Sequence, residues 1–204
     1  VAPMKKYDLD TNTLVLAYSN GYFPMPHPET EEICWFHPDT RAVMPLDSMH
    51  VSRSLRRRIK KSDYQVTIDK SFAEVMKACA DRKDTWINAE FLRAYNELHL
   101  LGLAHSLEIW HGGLLTGGIY GVSLGGAFFA ESKFHRQTDA SKLALYHLVE
   151  QLKRDNFELL EVQFITPHLR SLGVIEVSSE DYQTRLAVSI RKECRFGKSH
   201  ASNS

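Results

Sequence analysis

Two glycine pairs divide residues 104–132 into three apolar runs, and this spacing constrains the fold more than any other feature of the sequence. The runs are AHSLEIW, LLTGGIYGVSL and AFFAES, and they are separated by Gly112 with Gly113 and by Gly125 with Gly126. Glycine accepts the positive φ angles of tight hairpin turns, and alternating apolar residues around such turns are typical of paired strands. The sequence therefore predicts a three-stranded antiparallel meander in the middle of the chain.

Helical and extended segments surround this meander. Apolar residues recur at helical spacing in SFAEVMKACADR, in AEFLRAYNELHLLG and after about Asp139, whereas YQVTI and FELLEVQFI have the composition of strands. After Ser62 the predicted order of elements is β-α-α-β-β-β-α-β-α. Strands that surround a helical crossover predict a layered α+β domain. This order also resembles the GNAT superfamily of acetyltransferases, in which the acyl donor binds where two central strands separate.

The first 62 residues have a different character. A short helix in DTNTLVLAYSNG is followed by a proline-rich stretch, by the irregular or strand-like WFHPDTRAVMPLD and by the basic, helix-permissive VSRSLRRRIKKSD. The basic run ends near Ser62, where YQVTI begins a strand. We therefore predict a small N-terminal domain with a basic segment over residues 1–62 and a larger domain over residues 63–204.

Charge and cysteine content narrow the class of protein. The 204 residues carry 25 Lys and Arg against 25 Asp and Glu, so the net charge of the whole chain predicts no partner. Cys34, Cys79 and Cys194 are isolated and odd in number, which favours a reduced, cytoplasmic setting over a disulfide framework. No apolar run approaches the length of a membrane span, no signal peptide is visible, and no metal-ligand spacing occurs.

Local charge is concentrated in the basic segment, where six cations fall within nine residues. Such a run is most often a solvated helix face, but it is also how proteins hold a phosphate backbone. The candidate residues for RNA contact are Arg53, Arg56, Arg57, Arg58, Lys60 and Lys61.

Polar side chains interrupt two otherwise apolar strands. Glu131 ends AFFAES, and Glu161 and Gln163 are two residues apart in LLEVQF, so that they share one face of a regular strand. A buried polar group is costly unless it has a partner, and desolvated carboxylates are how sites obtain bases with raised pKa values. The spacing alone leaves a structural and a functional role equally open.

Eight short segments occur in an order that resembles one known protein family. They run from about Leu14 to about Leu186. The segments are AYSNGYFPM, WFHPDTRAVMPLDSMHVSRSLRR, DRKDTWI, AYNELHLLGLAHSLEIW, GGIYGV, AESKFHRQTDASKLAL, EVQF and HLRSLGV. Together they resemble the leucyl/phenylalanyl-tRNA–protein transferase family.

The resemblance implies a small N-terminal domain followed by a catalytic domain of the acetyltransferase (GNAT) fold over residues 63–204. It implies an enzyme that takes leucine or phenylalanine, and methionine less well, from aminoacyl-tRNA. The amino acid passes to the α-amine of proteins that begin with Arg or Lys, which marks those proteins for degradation. We expect no cofactor and no metal, because an aminoacyl ester is already activated, and no membrane partner.

The same matches imply roles for individual residues. Glu161 and Gln163 match the family's proton-handling pair, and Glu131 matches its essential glutamate. Trp86 matches the aromatic residue beside the 3′-terminal adenosine, and Ser132 lies next to the essential glutamate among the substrate-binding positions. The positions that match the pocket for the amino acid side chain are Ile119, Phe128, Leu145, Leu148 and Leu160.

Three alternatives stay open at this point. Lys133 follows Glu131 closely, which leaves room for a different amino acid or a different acceptor residue in the same reaction. An acetyl-coenzyme A-dependent N-acetyltransferase would need a [QR]-x-x-G-x-[GA] pyrophosphate loop, and KFHRQTDASK has no glycine there. A tRNA-binding module without activity is disfavoured because Glu131, Glu161 and Gln163 are all present.

Overall fold

The protein folds around a seven-stranded mixed sheet. A computed structural model describes residues 9–27, 30, 32–82 and 85–197. The strands are β1 (Phe23–Pro26), β2 (Ile33–Phe36), β3 (Thr40–Val43), β4 (Gln65–Ile68), β5 (Ala104–His111), β6 (Leu114–Leu124), β7 (Ala127–His135), β8 (Leu159–Gln163) and β9 (Ile175–Ser178). The helices are α1 (Thr11–Ser19), α2 (Arg53–Lys61), α3 (Phe72–Ala80), α4 (Ala89–Leu100), α5 (Ala140–Arg154), α6 (Pro167–Ser171) and α7 (Ser179–Ser189).

The predicted meander forms the centre of the large sheet. Strands β5, β6 and β7 pair antiparallel in sequence order, and Gly112, Gly113 and Gly125 take positive φ angles at the two turns. The long helix α5 then returns the chain so that β8 pairs parallel to β7. The full order in the sheet is β4-β5-β6-β7-β8-β3-β9, and β1 and β2 form a separate hairpin. The prediction of a three-stranded antiparallel meander is confirmed.

Helices cover both faces of this sheet. Buried residues of α1, α3 and α4, among them Tyr18 and Tyr95, form one apolar cluster with the side chain of Phe129. The other cluster lies between the sheet and α5, with Leu55 of α2 at its margin, and includes Phe128. Adjacent residues of β7 therefore point to opposite layers, as regular strand geometry requires.

Two short strands extend the sheet in a way that the sequence pattern does not predict. Strand β3, from within the first 62 residues, lies between β8 and β9 and pairs antiparallel with both. The pattern indicates β3 only as an irregular or strand-like stretch and gives no sign of β9, because four residues are too few for a period of two to stand out. The division at residue 62 stays a prediction, and residues 40–43 belong to the large sheet.

Within the described ranges, no helix is both long enough and apolar enough to cross a membrane. The longest, α5, has 15 residues and carries charged side chains along its exposed face.

Candidate active site

A cavity opens where the two central strands β7 and β8 separate. Their last paired residues are Phe129 and Glu161, and β7 continues well beyond that point. The cavity measures about 370 Å³ and lies between the ends of these strands, the start of α5 and the start of α6. Its walls are formed by Arg82, Ile119, Ala130, Glu131, Ser132, Lys133, His135, Ser141, Leu145, Val162, His168 and Leu169.

A β-bulge places Glu131 at this opening. Tyr120 of β6 pairs with Ser132, whereas the next residue, Gly121, pairs with Ala130, so Glu131 has no partner in the register. The extra residue bends the strand and re-aims one side chain. Gly121 permits the close approach, because a Cβ there would lie 2.2 Å from the carbonyl oxygen of Phe129.

A strained turn ends β8 on the other side of the opening. Gln163 has a φ of 62°, and the Phe164 N–H donates to the Val162 carbonyl at 2.9 Å across it. This γ-turn conformation is rare for a residue other than glycine and persists only where the surroundings enforce it. It turns the Gln163 side chain toward β7, where its Nε2 donates to Glu131 Oε1 at 3.0 Å.

Glu131 is buried among hydrogen-bond donors without an opposite charge in contact. The Tyr18 hydroxyl donates to its Oε1 at 2.6 Å, and the Tyr95 hydroxyl donates to its Oε2 at 3.3 Å. The two tyrosine oxygens are themselves 2.5 Å apart. Burial raises the pKa of Glu131 from 4.5 to about 7, and the nearby charge of Glu161 adds to this, while the hydrogen bonds oppose it.

Glu161 has a different environment because it forms a fully buried ion pair. Arg41 Nε and Nη2 donate to Glu161 Oε1 at 3.0 and 2.6 Å, and the Tyr182 hydroxyl donates to Oε2 at 3.1 Å. Arg41 also donates to the Gly21 carbonyl and lies over the rings of Phe23 and Tyr182. Burial raises the pKa of Glu161, and the Arg41 guanidinium counteracts the shift.

The structure brings together the three predicted catalytic residues. Gln163 contacts Glu131 directly, and Glu161 lies two residues earlier on the same strand. Glu131 lines the cavity, whereas neither Glu161 nor Gln163 is among its lining residues, although Gln163 hydrogen-bonds to Glu131. The carboxylate that faces the open space is therefore the one with a pKa near neutrality.

The predicted substrate-binding residues divide into two groups. Ile119, Ser132 and Leu145 line the cavity directly. Phe128, Leu148 and Leu160 are fully buried in the apolar cluster that also contains Ile119 and Leu145. They therefore lie behind the part of the cavity wall that Ile119 and Leu145 form.

Trp86 lies apart from this cavity. Its ring packs edge-on against Phe91 of α4, with 4.9 Å between ring centroids, and it is partly exposed. Phe91 in turn stacks on Tyr95, which contacts Glu131. The stacking role of Trp86 stays a prediction.

The basic segment forms helix α2, with its cations on the outside. Ser52 caps the helix by accepting from the Leu55 N–H at 3.2 Å, and Leu55 is buried. Arg58 and Lys61 both pair with Asp63, and this holds the pKa of Asp63 down at about 2. The remaining predicted RNA-contact residues are exposed and form no ion pair within the described residues; they are Arg53, Arg56, Arg57 and Lys60.

Sequence reasoning missed the partners of the two carboxylates. Arg41 is a single charge inside a short apolar strand, which was the available signal for a buried ion pair. Tyr18, Tyr95 and Tyr182 gave no such signal, because tyrosine on an apolar helix face is most often packing. Among the described residues, no group of three His, Cys, Asp or Glu side chains is arranged to hold a metal ion.

Comparison with known families decides what this arrangement belongs to. A family model for leucyl/phenylalanyl-tRNA protein transferase matches residues 43–187, and a model for the N-terminal domain of that transferase matches residues 7–39. The chain belongs to this family. The resemblance inferred from the eight sequence segments is confirmed, and the protein is a transferase.

Curated relatives agree over nearly the whole chain. The leucyl/phenylalanyl-tRNA–protein transferase of Cereibacter sphaeroides strain ATCC 17029 is 49% identical over 194 residues, which is 95% of this chain and 91% of the relative. The Ruegeria pomeroyi protein of the same name is 50% identical, covering 87% of this chain and 85% of its own. That of Salinibacter ruber is 48% identical, covering 88% and 79%.

One solved structure supports the fold at low sequence identity. The crystal structure of FemX superposes with a TM-score of 0.54 and 11% identity, covering 82% of this chain and 66% of that chain. A GCN5-related N-acetyltransferase-like protein from Streptococcus suis matches more weakly, with a TM-score of 0.39 over 82% of this chain and 64% of its own. The predicted α+β, acetyltransferase-like fold is confirmed.

The environment of Glu131 predicts a specific pH dependence of stability. Its pKa is raised on folding from 4.5 to about 7, so between these pH values the folded protein holds a proton that the unfolded chain has lost. Wild type therefore loses stability as pH rises through this window. The Glu131→Gln variant lacks this loss, so its free energy of unfolding relative to wild type should rise by about 2–3 kcal/mol from pH 4.5 to pH 7 and then level off.

Urea unfolding at a series of pH values measures this difference. The exposed Glu193→Gln removes the same charge and serves as the control, with a flat difference expected. A flat difference for Glu131→Gln as well would show that Glu131 is ionised at its ordinary pKa in the folded protein.

Proposed function

We propose that this protein transfers leucine or phenylalanine, and methionine less efficiently, from aminoacyl-tRNA to the N-terminal α-amine of proteins that begin with Arg or Lys. The donor and acceptor classes follow the names of the family and of its curated relatives. The choice of Arg or Lys, the marking of the product for degradation and a cytoplasmic location follow the resemblance seen in the sequence. The reaction uses neither metal nor cofactor, because the ester bond to tRNA is already activated.

One observation carries the proposal: Glu131, with a pKa of about 7, lines a cavity that also has an apolar wall. Ile119 and Leu145 line that wall, backed by the buried Leu148. An apolar wall suits a leucine or phenylalanine side chain, and a carboxyl poised near neutral pH suits proton transfer at the reacting ester. Together they match the two needs of aminoacyl transfer to an amine.

The reaction requires one proton to leave and one to arrive. The attacking ammonium group must lose a proton to become a nucleophile, and the 3′-hydroxyl of the terminal adenosine must gain one as the ester bond breaks. Glu131 is the better placed proton acceptor, since it lines the cavity and is half ionised near pH 7, whereas Glu161 is committed to Arg41. Gln163 orients Glu131, and Glu161 with Arg41 fixes the strand that carries Gln163.

Much of the rate enhancement then comes from positioning. Holding the amine and the ester together removes the entropic barrier of a two-body reaction. The rigid surroundings of Glu131, with hydrogen bonds from Tyr18, Tyr95 and Gln163, suit this role.

The donor preference tests the proposed function directly. Purified protein is mixed with labelled peptides that begin with Lys, Arg, Asp or Ala and with competing charged tRNAs. We expect transfer from leucyl- and phenylalanyl-tRNA to the Lys and Arg peptides, with methionyl-tRNA poorer by roughly 10-fold, because apolar pockets discriminate only weakly between similar side chains, by about 1–3 kcal/mol per methylene. Faster transfer from arginyl- or glutamyl-tRNA would overturn the assignment of the donor.

The hydrogen bond from Tyr18 predicts a shift in the pH–rate profile. This bond lowers the pKa of Glu131, so Tyr18→Phe should raise that pKa further and move the acid limb of single-turnover transfer to higher pH. The same peptide is used with both proteins, so the pKa of its free amine in solution is identical in the two experiments. Glu131→Gln should lose the limb and reduce the transfer rate by about 10²–10⁴-fold.

Charged tRNA is bound in advance so that only the transfer step is timed. Tyr146→Phe, on a partly buried tyrosine of α5 that is not among the hydrogen-bond donors to Glu131, is the matched control. If the acid limb of the profile does not move in Tyr18→Phe, the limb reports the titration of the acceptor amine. Glu131 is then not the proton acceptor.

The exposed cations of α2 predict salt-dependent binding of tRNA. Replacing Arg53, Arg56 and Arg57 by Glu should weaken binding of tRNA and lower the slope of log affinity against log salt by about 0.9 for each phosphate that the variant no longer neutralises. Arg58 is left intact because it pairs with Asp63. Filter binding at several salt concentrations measures the slope, and an unchanged slope would show that α2 is a solvated face.

A further inference from the structure

A groove leads away from Glu131 along the loop between β7 and α5. A second depression, of about 500 Å³, adjoins the cavity and shares His135, Ser141 and His168 with it. It continues past Arg136 and residues 137–139 to Lys142 in the first turn of α5. Because the two share these walls, we treat them as one groove and call it the loop groove; Glu131 lines its inner part.

Several cations line the loop groove. Arg82 and Lys133 line its inner part, and within the described residues neither pairs with a carboxylate. Lys133 is half-buried, and burial together with Arg82 lowers its pKa. The neighbouring Cys79 does not supply an anion, because burial raises the pKa of its thiol to about 12.

The outer part of the groove has the same character. Arg136 is exposed, donates to the Leu115 carbonyl at 3.2 Å and lies over the Phe134 ring, again without an ion pair among the described residues. Asp139 also lines this part, but its carboxylate pairs with Lys142 at 2.7 Å. The net charge along the walls is therefore positive.

The shape of this charge distribution selects one kind of ligand. A single carboxylate, such as an acidic side chain, would meet one or two cations at one point. Here the cations are distributed along a channel that starts at the proposed reaction centre. A groove of this kind tracks the backbone of single-stranded nucleic acid, and the first turn of α5 adds the favourable potential that a helix N-terminus offers to phosphates.

We infer that the loop groove binds the phosphates of the single-stranded 3′ end of tRNA, through Arg82, Lys133 and Arg136. The site is separate from α2, which would bind the duplex part of the tRNA. This inference rests on the proposed use of aminoacyl-tRNA. It also gives Lys133 a role that leaves the apolar wall for the amino acid side chain intact.

The test compares two donors that differ only in the nucleotides before the terminal adenosine. Phenylalanyl-adenosine has no phosphate, whereas the phenylalanyl trinucleotide cytidine-cytidine-adenosine carries the backbone of the tRNA end. In the Arg82→Gln/Arg136→Gln variant, the KM for the trinucleotide should rise at least 10-fold relative to the KM for phenylalanyl-adenosine. The salt slope of log KM for the trinucleotide should fall by about 0.7 for each phosphate that is no longer neutralised.

Matched variants separate the two RNA-binding surfaces. Arg191→Gln/Arg195→Gln removes two exposed arginines that are not among the lining residues of the groove, and it should leave the KM ratio unchanged. The α2 variant should weaken the use of whole charged tRNA but leave the trinucleotide ratio at the wild-type value. Melting temperatures of all variants establish that each is folded.

The KM ratios and the salt slopes decide whether the phosphate site exists. An equal KM ratio in the groove variant and in wild type, or a trinucleotide KM in wild type that is independent of salt, overturns the phosphate site. An effect of the groove variant that occurs only with acceptor peptides beginning with Asp or Glu would also overturn it, in favour of an acceptor site. Absence of transfer by wild type from any charged tRNA contradicts the proposed function itself.

Discussion

The buried ion pair between Arg41 and Glu161 is the interaction on which the rest of the site depends. It joins β3 to β8 inside the sheet, and Arg41 reaches on to the carbonyl of Gly21 while Tyr182 closes the other side of the carboxylate. Removing one partner of such a pair leaves an uncompensated buried charge, at a cost of about 3–5 kcal/mol. The pair thus holds the end of β8, and the strained turn at Gln163 begins two residues after Glu161.

Glu131 and Glu161 lie close together, but the residues around each glutamate act differently on its pKa. Burial raises the pKa of Glu161 while the Arg41 guanidinium opposes that shift, and the charge of Glu161 contributes to the raised pKa of Glu131. Glu131 contacts only neutral donors, so burial dominates and its pKa reaches about 7. The protein thus has a group that titrates near neutral pH without using histidine. The reason is that Arg41 balances the charge of Glu161, whereas Glu131 contacts only neutral hydrogen-bond donors.

The parts of the fold that depend on local pattern were predictable. Glycine turns and alternation were enough for the meander, and a carboxylate at the end of an apolar run singled out Glu131. The bulge at Glu131 was not predictable, because it depends on the register of β6 opposite it. Nor was the partner of Glu161, since Arg41 lies 120 residues earlier and no local pattern links the two. Tyr18 and Tyr95 went unnoticed because each also fits an ordinary apolar helix face.

The position of β3 between β8 and β9 also has a consequence for how the chain is made. Residues 40–43 leave the ribosome early, but the strands that flank them come from residues 159–163 and 175–178. Because synthesis proceeds from the N-terminus at about 5–20 residues per second, β3 waits on the order of ten seconds for its partners. The ion pair therefore cannot form until residue 161 has been made, and a nascent chain lacks the contact from Gln163 to Glu131 until β8 has left the ribosome.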